Sequence, residues 1–227
     1  MKATITVPDS LKEITLAQYK DFVKASEGIE GDLLSQRMVE KFCHVPLSEV
    51  LLIKLKDVRD ICNGLNTLLS EDQPLQTTFE IGSAKFGMIP NLDDMSFGEY
   101  IDLDTNITDW ETMNKAMAVL YRPIISEIDG KYEIEPYNGS ATYSEVMLFA
   151  PIDVVLGSLV FFWALGRELL KVTQDYLVTE IVEMGIQHKN NLTQTGDGTI
   201  LSTQSLKENL LDLMKLHDLD YINVLPS

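Results

Sequence analysis

Positive charge is scarce in this 227-residue sequence: 18 Lys and Arg stand against 35 Asp and Glu, a formal net charge of −17. Each phosphate contact wants a Lys or Arg, so this imbalance argues against nucleic acid as a partner. It argues equally against an anionic membrane surface. Histidine is rarer still. His44, His188 and His217 lie far apart, each near an expected helix end, where a cationic ring suits the helix dipole. The two cysteines, Cys43 and Cys62, show no CxxC spacing and read as reduced core thiols. Long apolar runs are missing too. The most apolar stretch, Val154 to Leu165, is bounded by Asp153 and Arg167, and its 12 residues fall short of the roughly 20 that a spanning helix needs. The opening Met-Lys-Ala-Thr-Ile-Thr-Val-Pro has no apolar h-region, so no secretory signal is expected and synthesis in a reducing cytoplasm follows. The glycosylation patterns at Asn106, Asn138 and Asn191 then read as chance matches. No Gly-rich phosphate loop, GxSxG or HExxH is present, and neither cofactor nor metal is expected.

Apolar residues make up 45% of the chain, ample for a core. Residues 3–7 alternate like a short strand. Thr15 and Gln18 form a capping box opening a helix with Leu16, Tyr19, Phe22 and Val23 inward. Further helices are expected over 32–44, 47–53 and 56–70. Two strand-like runs, 76–81 and 84–89, flank a Gly82-Ser83 loop suited to a hairpin. Ser96 and Glu99 are spaced as a second capping box. Thr108 and Glu111 repeat the signal, opening an expected helix to about Arg122 that Pro123 stops. Asp129-Gly130 suggests a second hairpin. Residues 141–149, 152–188 and 203–217 carry helical patterns, with a polar loop over 190–202. The expected fold is mainly α, a helical bundle with one or two small antiparallel β-hairpins. It divides into an N-terminal helical part (1–70), an acidic hairpin or connector (71–111) and a C-terminal helical part (112–227), within what could be one compact domain.

The sharpest local feature is acidic. Residues 71–111 hold ten carboxylates against Lys85 alone, a net −9 over 41 residues. Asp93, Asp94, Asp102 and Asp104 stand out as candidates for an acidic surface that docks a basic partner. The bland alternative is a solvated face. Asp102-x-Asp104-x-Asn106 opens like a calcium loop, but Ile107 stands where Gly is needed and Met113 where the bidentate Glu belongs. Paired carboxylates of the 93–111 segment could serve an enzyme, yet no pair is singled out.

The stretch from Ala118 to Phe162 is dense in Tyr, Pro and Gly. Arg122 lies among carboxylates at 127, 129, 133 and 135 and reads as an internal clamp of a helix end to the following hairpin. The functional alternative is a groove lined by Tyr121, Tyr132 and Tyr137 that holds a partner segment. Gly157 and Ser158 leave room for a close helix approach, and Phe161, Phe162 and Trp163 read as core.

The run ending Tyr121-Arg122-Pro123, the Tyr132-to-Gly139 stretch, the Pro151-to-Phe162 helix and the opening Ile14-Thr15-Leu16-x-x-Tyr19-x-x-Phe22 resemble small helical proteins encoded among the structural genes of tailed bacteriophages. The likeness covers residues 14–25 and 115–170, under half of the chain. It implies a non-enzymatic morphogenesis role, as a tail assembly chaperone or as a permanent virion component such as a ring, collar or internal protein of the tail or portal region. The implied partners are other phage structural proteins with basic or exposed helical surfaces, with a homo-oligomer as a further possibility. The implied location is the host cytoplasm during assembly, or the virion itself. The resemblance brings no active-site residues.

Overall fold

The computed structural model describes residues 5–164, and all structural statements below concern them. Four helices come first: α1 (Leu16–Ser26), α2 (Gly31–Phe42), α3 (Leu47–Val50) and α4 (Leu55–Leu69). The Thr15–Gln18 capping box opens α1, with each side chain bonded to the other's backbone N–H. Residue 44 ends α2 in the left-handed conformation, unusual for histidine (φ +54), while the His44 ring meets the Gln18 amide at 2.9 Å. Residues 5–7 carry no regular structure, so the strand expected there is not formed; residues 3 and 4 lie outside the described residues.

Strands β1 (Thr78–Ile81) and β2 (Ala84–Met88) form the expected hairpin around Gly82-Ser83, with Gly82 at φ +60. Helix α5 (Phe97–Asn106) starts at the Ser96–Glu99 capping box. Helix α6 (Met113–Leu120) begins later than expected. Thr108 caps nothing, Asp109 instead accepts from the Glu111 N–H at 2.9 Å, and the helix opens at Thr112 without a side-chain cap.

The mainly α expectation is corrected at the next step. Leu120 closes α6 and Tyr121 at once begins β3 (Tyr121–Ile128), which pairs with β4 (Lys131–Ile134) across Asp129-Gly130, both at positive φ. β3 also pairs with β2, Met88 opposite Tyr121 and Phe86 opposite Pro123. The two hairpins are therefore one antiparallel sheet of order β1-β2-β3-β4, and the fold is α+β rather than a helical bundle. The physical reason is Pro123. It bars the helix, and it also pushes the residue before it into extended backbone, so the helix yields before Arg122 rather than at it. The β2–β3 pairing joins residues far apart in sequence and leaves no local pattern to read.

Helices α7 (Ala141–Met147) and α8 (152–164, to the limit of the described residues) complete the unit. The rest of the expected 152–188 helix and the 203–217 helix lie outside the described residues. Residues 14–17 and 148–152 are stitched together: Leu16 donates to the Ala150 carbonyl (2.9 Å), Ala17 to Leu148 (2.9 Å) and Ile152 to Ile14 (2.8 Å). The core gathers Tyr19, Phe22 and Phe42 with Met117, Leu120, Met147 and Ile152. Ile152, Asp153, Val154 and Val155 fill a whole buried turn of α8 and Ser158 and Leu159 are buried beyond it, while Val160 and Trp163 are exposed, so α8 is enclosed at its start and open further on, and Trp163 is not the core residue expected. Among the described residues no helix is long and apolar enough to cross a membrane.

Candidate functional site

The acidic segment does not behave as one surface. Its centre, α5, sends carboxylates in two directions. Glu99 is 5% exposed and meets the Arg122 guanidinium, Nη1 to Oε1 2.7 Å, with Arg122 itself 7% exposed. Burial pushes the Glu99 carboxyl up, but hydrogen bonds from Ser96 and the Arg122 charge outweigh it, and the net value lies below the usual 4.5. Arg122 is thus an internal clamp, as its surroundings suggested, but its partner is different. The carboxylates of the following hairpin, expected to hold it, are engaged elsewhere or exposed. Glu127 pairs with Lys85 (2.7 Å), Glu135 accepts from the Tyr143 hydroxyl, Asp129 sits in the turn and Glu133 is exposed.

The guanidinium also lies over the Tyr137 ring, 5.6 Å from its centroid. The Tyr137 hydroxyl donates to Asp102, whose carboxylate accepts a second bond from the Ser140 N–H at 3.4 Å. The Tyr137 bond holds the Asp102 carboxyl below its usual range. Burial, together with the Asp102 charge, pushes the Tyr137 phenol up to about 12. Arg122, Tyr137 and Asp102 therefore meet, joining α5 to β3 and to the loop before α7. Because Glu99 and Asp102 both titrate low, they stand as ionised acceptors at neutral pH; a general acid needs the opposite shift.

The other expected groove residues do not join them. Tyr121 is completely buried, and its hydroxyl donates to the Gln76 carbonyl (2.6 Å) and meets Ser158 Oγ (2.9 Å). Burial holds that phenol at about 12. Asp153, also buried, accepts from the Gln76 side chain at 2.7 Å, so Gln76 is gripped at both ends. Gly157 completes this seat, since a Cβ there would stand 2.5 Å from the Pro74 carbonyl oxygen. The Tyr132 ring crosses Gly87, where a Cβ would lie 2.5 Å from it, and its hydroxyl bonds the Met88 carbonyl at 3.0 Å. The Tyr121 ring is enclosed, with the Phe79 ring edge-on at 5.1 Å.

Asp93 and Asp94 lie exposed on the turn before α5. Asn91 shapes that turn, accepting from the Asp93 N–H (3.1 Å) and donating to Asp94 (3.0 Å). Asp104 is exposed on α5. The calcium-loop resemblance ends here: Asp102, Asp104 and Asn106 sit on a helix, Asn106 bonds the Asp102 carbonyl (2.6 Å), and no metal-ligating cluster occurs among the described residues. Lys20 and Lys24 of α1 reach Glu111, through its carbonyl at 2.7 Å and its carboxylate at 3.3 Å, beside a cleft of about 220 Å³ that also exposes Trp110 and Glu27.

What the charge pattern hides is the apolar side of α5. Phe97, Tyr100 and Ile101 are 78, 56 and 45% exposed, a step of three and then one along the same helix face, with Asp104 one turn on. The capping box and this spacing locate the helix and its stripe, but not its exposure, since an apolar stripe normally turns inward. Here the inward face is made by Glu99, Leu103 and Asn106 instead. Neither a protein-family profile, nor a curated protein, nor a solved structure significantly matches the chain.

Proposed function

We propose that this chain is a non-enzymatic assembly protein of a tailed bacteriophage, a tail assembly chaperone that binds other phage structural proteins in the host cytoplasm. The observation that carries a binding role is the exposed Phe97–Tyr100–Ile101 stripe on a well-anchored, acidic helix. Large apolar side chains left in water on a structured unit mark an interaction surface. Net charge of −17 keeps such a protein, and an apolar client bound to it, in solution. The phage context rests on the sequence resemblance. Residues 14–17 and 148–152, one stretch from each of its two segments, are hydrogen-bonded to each other, so the likeness concerns the framework and leaves the α5 face to specify the client.

A second observation favours the permanent virion component as the alternative. Leu51, Leu52 and Leu55 at the α3–α4 corner are 63, 84 and 56% exposed, which adds apolar area of the kind a ring subunit needs. Affinity purification from infected cells, with mass spectrometry of finished virions, separates these readings. A chaperone co-purifies with a tail component and is absent from virions; a ring or collar subunit is present in them. A monodisperse protein that captures no phage protein contradicts both.

A further inference from the structure

We propose that the outer face of α5 is the docking site for an amphipathic helix of a partner protein, one whose apolar stripe is flanked by Lys or Arg. This rests on the binding role above and assigns it a place and a partner chemistry.

The face is built for that occupant. Phe97, Tyr100 and Ile101 present two aromatic rings and a branched aliphatic chain at helical spacing, the side-chain types that dominate interface cores. The helix beneath them is already fixed. Ser96 and Glu99 cap it, Leu103 is buried, and Glu99 and Asp102 tie it to Arg122 and Tyr137. Binding therefore orders little that is loose, which keeps its entropic cost low. The stripe is a row of side chains on a closed helix and offers no open strand edge. A second helix, ridge into groove, is the complementary shape.

Charge decides the chemistry of that helix. Asp93 and Asp94 are exposed on the turn before the stripe and Asp104 on the same helix after it, and none has an ion-pair partner among the described residues. The segment's single cation, Lys85, is already paired with Glu127. An incoming Lys or Arg finds carboxylates that no cation of the described residues neutralises, whereas an acidic helix meets repulsion. The same reasoning disfavours a second copy of this chain, since two α5 faces brought together would oppose like charges at a total of −17 each.

The test uses the full chain and a synthetic leucine–lysine peptide with leucines at i, i+3, i+4 and i+7. Two control peptides accompany it, one with Glu replacing Lys and one with Ser replacing Leu. The leucine–lysine peptide is expected to bind and the controls to bind at least about tenfold more weakly. Phe97→Ser with Tyr100→Ser should weaken binding about tenfold or more, with an unchanged melting temperature because both positions are exposed. Asp93→Asn with Asp104→Asn should weaken it about threefold and flatten its salt dependence. Equal binding of the Ser control, or undiminished binding by the Phe97/Tyr100 variant, would overturn the proposal. So would self-association of the wild type that the same variant abolishes. Purification from infected cells separates this from the broader reading. A client held equally by wild type and variant sinks the docking face and leaves the assembly role standing. A wild type that holds no client sinks the assembly role, while the peptide result still stands or falls by itself.

Discussion

The two faces of α5 use the same kinds of residue in opposite ways. Inward, a charged side chain is buried: Glu99 meets Arg122, with Asp102 and Tyr137 beside it. Outward, apolar side chains are in water: Phe97, Tyr100 and Ile101. Either arrangement alone costs free energy, since a buried carboxylate must be compensated and exposed aromatic area is not offset by packing. The Glu99 carboxylate is compensated within the molecule, by the Arg122 cation and the Ser96 capping hydrogen bond, while the buried Arg122 Nε has no hydrogen-bond partner among the described residues. The outward stripe has no compensation among the described residues, and that asymmetry is the ground on which we propose it as a binding surface. An acidic segment of −9 thus separates into carboxylates that hold the fold and carboxylates that frame a patch.

If that division is right, substitutions on the two faces should differ in kind. The largest loss is expected for Arg122→Met, which strands the Glu99 carboxylate: about 3–5 kcal/mol of stability, read by urea unfolding. Adding Glu99→Gln to it should recover part of the loss, because the uncompensated charge is then gone. Gly157→Ala forces a Cβ to within 2.5 Å of the Pro74 carbonyl oxygen, and about 1–3 kcal/mol should be lost, visible in thermal melting. Tyr121→Phe removes the hydroxyl that Gln76 and Ser158 share and should cost about 1–2 kcal/mol in the same assay.

Acidity probes the inward face without mutation. Glu99 and Asp102 titrate below their usual values of 4.5 and 3.8 in the folded protein. Their contribution is therefore complete above those values and disappears as pH falls through the lower folded ones. The urea midpoint of the wild type should fall as pH drops below about 4.5, and Glu99→Gln should show a shallower fall over that window. The smallest effect belongs to the outer face, where Phe97→Ser should shift stability by no more than about 0.5 kcal/mol. A loss of the Arg122 size at Phe97 would mean that the stripe is packed against something in the folded chain.

Much of the local architecture was legible in the sequence. The capping boxes at Thr15 and Ser96, the Gly82-Ser83 loop and the Asp129-Gly130 turn each form where their residue chemistry places them. What escaped was long-range. The pairing of β2 with β3 joins Met88 to Tyr121 and turns two hairpins into a sheet, and no local periodicity encodes it. Reading Pro123 as a helix stop was sound, but its effect on the preceding residue moves that stop and converts an apparent helix end into a strand. The partner of Arg122 escaped because Glu99 lies on a separate helix, while the nearer hairpin carboxylates Glu127 and Glu135 bond Lys85 and Tyr143 instead. Tyr121 was legible as important yet not as internal; its place is the grip on Gln76. Phe97, Tyr100 and Ile101 were hidden by the convention that apolar residues of an amphipathic helix face inward, which Glu99 inverts here.

The most direct test is residue-resolved chemical-shift mapping of the full chain titrated with the leucine–lysine peptide. Shifts concentrated at Phe97, Tyr100, Ile101 and Asp104, with Tyr121, Arg122 and Ser158 unmoved, are what the two-faced α5 predicts. Shifts centred on Leu51, Leu52 and Leu55, or spread evenly over the carboxylates of the molecule, would contradict it.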